Sequence, residues 1–109
     1  MEQLQRLAQA IAETYIRDLE RNTGSNTVTY NGVTGCVNKD LLASGLVDNA
    51  VAAVKNLKGA IDIEREAYKS LMALISLDGR EYQLTDHGKN VIDTATRIEL
   101  AQNKKPTLN

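Results

Sequence analysis

Apolar residues recur at spacings of three and four along the N-terminal stretch. Leu4, Leu7, Ile11, Tyr15 and Leu19 fall on one stripe, widened by Ala8, Ala12 and Ile16. Glu2, Arg6, Glu13, Arg17, Asp18 and Arg21 occupy the other side. This pattern predicts an amphipathic helix over residues 3–21. Asn22 and Gly24 tolerate left-handed backbone and end it. The pattern then changes. Residues 22–38 are rich in Asn, Thr, Gly and Ser, and Val28 and Tyr30 alternate with Thr27 and Thr29 ahead of Asn31-Gly32. The segment reads either as a small hairpin or as an ordered loop.

Helical spacing resumes at Asn38, an N-cap for a short helix through Leu41, Leu42 and Leu46 that Gly45 interrupts. Asp48 or Asn49 caps a second helix to about Lys58, with Ala50, Val51, Val54 and Leu57 inward and Gly59 beyond. Asp62 caps a third, with Ala67, Leu71 and Leu74 inward and Glu64 and Glu66 at its positive end. Leu74 to Gly88 is the most distinctive stretch. A short apolar run, Asp78-Gly79 and an alternating run through Thr85 predict a tight hairpin in which Gly79 takes positive φ. A last helix starts at Asp86, with Val91, Ala95 and Ile98 on one side and Ile92 beside them. It frays towards Asn103, with Pro106 beyond.

Composition narrows the picture. Hydrophobic residues make up 42% of the chain and charged residues 25%, which argues for a folded globular domain. The expected organisation is one domain over 1–109: an N-terminal helix at 1–22, a main part at 48–100 and a flexible tail at 103–109. There is no Trp or Phe and only four Tyr, so the core must be aliphatic and few rings are left to stack on bases. The net charge of −1 argues against a non-specific nucleic-acid binder, which carries a basic excess.

Candidate chemistry is sparse. Cys36 is the only cysteine, which excludes an intramolecular disulfide and a cysteine-based zinc site; it reads as a small buried residue, with a redox-sensing thiol as the alternative if it is exposed near a cation. His87, the only histidine, reads as a surface residue at a helix start, since no nucleophile motif accompanies it. The His, Cys and carboxylate positions match no metal-ligand spacing, and no Lys-Ser/Thr follows the glycines near Gly32 and Gly35 as in a phosphate loop. The expectation is a protein without enzymatic activity, metal or cofactor. No apolar run approaches the length of a membrane span and the N-terminus lacks a secretory pattern, so a cytoplasmic protein without membrane contact is expected.

Asp62 to Ala73 as a helix, Leu74–Leu77 and Tyr82–Thr85 as strands, and the junction Leu84-Thr85-Asp86-His87-Gly88 form an order that resembles a winged helix-turn-helix domain of the MarR or PadR type. In those families the second wing strand commonly ends in Leu-Thr, with Gly three residues after the Thr. Leu84, Thr85 and Gly88 match that spacing. A competing register places the turn and recognition helix at Gly45-Leu46-Val47-Asp48-Asn49-Ala50-Val51. The resemblance implies a mainly α fold with a small hairpin (α+β), winged helix-turn-helix-like, with an extra N-terminal helix. It also implies a sequence-specific transcriptional regulator that binds double-stranded DNA as a homodimer. Arg65, Tyr68 and Lys69, with Met72, would face the major groove. Arg80 would reach from the wing tip, and Lys89 would hold phosphate along with Lys55 and Lys58. The dimer contact would come from Leu4, Leu7, Ile11, Tyr15 and Leu19, together with Val91, Ala95 and Ile98.

The alternative is a non-enzymatic protein-interaction module, such as an inhibitor, an adaptor or a phage- or plasmid-type accessory protein. The near-neutral charge and the acidic Glu64 and Glu66 on the third helix favour it.

Overall fold

The N-terminal stripe folds as α1 (Glu2–Thr23) and supplies a large share of the core. A computed structural model describes residues 2–57 and 62–107 of the chain. Leu4, Ile11 and Ala12 are fully buried, Leu7 and Tyr15 nearly so, and Leu19 is half-buried against the same cluster. This corrects the assignment of Leu4, Leu7, Ile11, Tyr15 and Leu19 to a contact between copies. The apolar surface of Leu4, Leu7, Ile11 and Tyr15 is already removed from water within the chain, which leaves only part of Leu19 for a second copy.

α1 leads into β1 (Thr27–Tyr30) and β2 (Val33–Cys36), an antiparallel hairpin. Its two turn residues, Asn31 and Gly32, both have positive φ, 52° and 77°. This is the type I′ geometry that suits the twist of a two-residue hairpin, and it decides between the hairpin and the loop. Cys36 is exposed at the end of β2 rather than buried.

α2 (Lys39–Lys55) is one continuous helix where the sequence pattern suggested two. Asn38 caps it as expected, its Oδ1 accepting the Leu41 N–H at 3.0 Å. Leu42, Ala43, Leu46, Val47, Ala50 and Val54 all bury along one side. That continuous packing outweighs the cost of about 1 kcal/mol for a glycine in a helix interior. Gly45 to Val51 therefore contain no turn, and the competing register is not formed. Leu57, expected inward, lies past the helix end and is exposed. The expected helix end at Lys58 and Gly59 lies outside the described residues.

α3 (Ile63–Met72) starts where Asp62 predicts, with the Asp62 Oδ1 accepting the Arg65 N–H at 3.0 Å. Asp62→Ala is expected to cost about 1 kcal/mol, the ordinary value of an N-cap, read as a shift in urea midpoint. β3 (Ile75–Asp78) and β4 (Glu81–Leu84) follow as a second antiparallel hairpin. Its turn is Gly79-Arg80, one residue later than the Asp-Gly pair suggested, because Asp78 pairs across to Glu81 as a strand residue. Gly79 has φ 65° and is the only positive-φ residue of the two, the pattern of a type II′ turn with glycine first.

α4 (Asp86–Thr107) closes the chain and runs beyond Asn103, where fraying was expected. Its entry is set by Thr85. The Thr85 hydroxyl accepts the Gly88 N–H at 2.9 Å and donates to the Ala73 carbonyl at 3.1 Å, while the Thr85 N–H donates to the Leu74 carbonyl at 3.1 Å. The first turn of α4 thus crosses directly over Leu74. At Gly88 an added Cβ would stand 2.8 Å from the Leu74 carbonyl carbon. Leu84 is half-buried against the core, as the junction pattern implied.

These elements make an α+β domain. α1, α2 and α3 pack on one another, and the β3–β4 hairpin rests on α1. The β1–β2 hairpin lies along α4, with Leu100 over Gly35. α1 is therefore not an appendage to a unit that begins at residue 48. Among the described residues no helix is long and apolar enough to cross a membrane.

Candidate nucleic-acid interface

α3 buries Ala67 and Leu71 and leaves the opposite face uncovered. Arg65, Tyr68, Lys69 and Met72 lie there at helical positions i, i+3, i+4 and i+7, all exposed. Arg65, Tyr68 and Lys69 share one shallow cleft of about 430 Å³ with Asp62, Glu64 and Gln3 of α1. Three of the residues expected to contact DNA are thus brought together. Lys69 Nζ lies 3.5 Å from Glu66 Oε1, an exposed pair that contributes little to stability. It holds the ammonium along the helix surface.

Arg80 occupies the tip of the β3–β4 hairpin and is exposed. Leu77 and Tyr82 face each other across that hairpin, 63% and 37% exposed, so the hairpin presents apolar as well as basic surface. Lys89 is exposed on the first turn of α4. Neither Arg80 nor Lys89 lines the α3 cleft. His87 is exposed beside Lys89. Among the described residues no group of His, Cys, Asp and Glu is arranged to hold a metal ion.

Sequence reasoning misses two residues that position this surface. Arg17, which the helical pattern places on the wet side of α1, reaches β4. Its Nη2 donates to the Tyr82 carbonyl at 2.8 Å, and its Nη1 lies 3.8 Å from Glu81. Its Nε is buried without a hydrogen-bond partner. Nothing in the local sequence marks this reach, because the partner strand lies far along the chain. Asp93 is the second. Its Oδ1 accepts the Tyr15 hydroxyl at 2.7 Å and ties α4 to α1. Here a signal exists: a tyrosine on a core stripe needs a partner for its hydroxyl.

Burial pushes the Tyr15 phenol well above its ordinary value of 10.0, and the Asp93 hydrogen bond and charge push it further. The folded state therefore holds this proton more tightly than the unfolded chain does. The associated stability is complete below pH 10 and declines as the pH rises further. Tyr15→Phe should lose about 1.5–3 kcal/mol at pH 8, the range for a hydrogen bond to a charged group. In urea titrations the gap between wild type and variant should narrow above pH 10.

Comparison with protein-family models, with curated proteins and with solved structures found no match in any of the three.

Proposed function

We propose that the chain is a small DNA-binding transcriptional regulator that uses α3 and the β3–β4 hairpin in the manner of a winged helix-turn-helix domain. One arrangement carries this reading. A three-helix core leaves the Arg65–Tyr68–Lys69–Met72 face of its third helix bare, and a hairpin tipped by Arg80 follows that helix directly. An α-helix fits the major groove, where Arg and Lys reach guanine edges or phosphates. The hairpin adds a backbone contact beside it. Lys89, exposed at the start of α4, is a further candidate phosphate contact in this reading.

The test is retention of duplex from a random-sequence pool at low ionic strength, followed by binding isotherms across salt concentration. Wild type should retain duplex. Arg65→Ala, Lys69→Ala and Arg80→Ala should each weaken binding, and the slope of log K against log salt should fall by about 1 for every phosphate no longer neutralised. Failure to retain duplex at the lowest salt would refute the reading.

A second reading, a protein-interaction module, draws on a separate observation. Tyr68, Met72, Leu77 and Tyr82 are exposed on α3 and the hairpin, and Glu66 pairs with Lys69 among them. A salt-tolerant complex abolished by Met72→Asp or Leu77→Asp would favour it, because apolar burial is not screened by salt.

A further inference from the structure

Burial anchors the β3–β4 hairpin at its base. Ile75 is buried and pairs with the half-buried Leu84, and both pack on the core. From residue 76 to 83 every residue is exposed. A free two-stranded hairpin is at best marginally stable in water, so this outer half needs a tie to the rest of the chain to hold one position. Arg17 of α1 reaches it there, its Nη2 donating to the Tyr82 carbonyl at 2.8 Å. Tyr82 stands two residues from Arg80, about 7 Å along an extended strand. The tie therefore acts close to the tip, not at the base. α1 is itself fixed at this level, because Tyr15 is buried and bonded to Asp93 of α4.

The contact specifies geometry more than it adds stability. Arg17 Nε is buried and has no hydrogen-bond partner among the described residues. An unmade buried donor costs at least as much as one hydrogen bond contributes. Glu81, 3.8 Å from Nη1 and 60% exposed, adds little. The bond to the Tyr82 carbonyl is nonetheless directional, and it selects one placement of the strand against α1. We propose that Arg17 is a positioning residue for Arg80: it latches the outer half of the hairpin to α1 and so sets where the tip meets a DNA backbone, without touching DNA itself. The DNA partner rests on the reading above, whereas the latch is a property of the free chain.

Arg17→Met tests both parts, because it keeps an unbranched apolar stem and removes every donor, the unpartnered one included. The urea midpoint should stay at its wild-type value. Spin labels at Arg80→Cys and Gln9→Cys, in a Cys36→Ser background, report the hairpin tip against α1 without nucleic acid. Their distance distribution should be narrow with Arg17 and broad with Arg17→Met. In unlabelled protein, Arg17→Met should weaken duplex binding about ten-fold, the scale of one hydrogen bond to a charged group, and as far as Arg80→Ala does. The double variant should bind no more weakly than Arg80→Ala and show the same salt slope, since both changes remove one contact. A distribution unaltered by Arg17→Met would overturn the latch. Additive losses, with a further fall in salt slope, would overturn the positioning role by making Arg17 a DNA contact in its own right. Wild type that retains no duplex would refute the DNA reading, and the label distances would still decide the latch.

Discussion

Gly88→Ala should destabilise the chain by about 3 kcal/mol or more, the upper end of what overpacking costs. The usual penalty for a misplaced methyl group arises against side chains that can rotate away. Here the obstacle is the Leu74 backbone, with its carbonyl carbon 2.8 Å from the added Cβ. That backbone is fixed on both sides. The Leu74 carbonyl accepts the Thr85 N–H, and the Ala73 carbonyl accepts the Thr85 hydroxyl. Relief would require lifting the first turn of α4 off the junction, which breaks those bonds together. A domain of this size has only about 5–15 kcal/mol to lose, and Gly88→Val is expected to remove cooperative unfolding altogether. Lys89→Ala, one position on and exposed, should stay within about 0.5 kcal/mol of wild type. Urea denaturation followed by circular dichroism measures all three.

Ile92→Ala should cost about 2–5 kcal/mol, the range for deleting most of a buried aliphatic side chain. Ile92 lies one turn after Gly88 and is fully buried, joining α4 to the core cluster of the other helices. One further turn on, Thr96 is also buried, its hydroxyl bonded back to the Ile92 carbonyl at 2.8 Å. Gly88, Ile92 and Thr96 thus lie on one inward face of α4, and Ile92 is its fully buried large apolar group among the described residues. Ile92→Val, which leaves most of the volume in place, should cost only about 0.5–1.5 kcal/mol. Amide exchange should show the destabilisation in Ile92→Ala concentrated in α4 and in the β1–β2 hairpin that lies along it.

The junction that makes Gly88 critical is legible in the sequence alone. Leu84 closing a strand, Thr85 capping a helix and a glycine three residues later each have a local physical cause, and each is found. The caps at Asn38 and Asp62 are equally readable. The misreadings share one origin. Gly45 reads locally as a helix break, yet α2 runs through it because the residues on both sides bury against the same neighbours. The α1 stripe shows that a face is buried without showing whether its own chain or another covers it. Arg17 and Asp93 act on partners far along the chain, which periodicity does not report. Of the expected DNA contacts, helical spacing is enough to group Arg65, Tyr68 and Lys69, and their exposure follows from Ala67 and Leu71 facing in.

Amide hydrogen exchange with and without saturating duplex at low salt tests the nucleic-acid role at its source. Protection should rise along α3 and at the Gly79–Arg80 turn, and the β1–β2 hairpin should exchange as before. Unchanged exchange throughout the chain, or protection confined to the β1–β2 hairpin, would contradict a role for α3 in holding DNA.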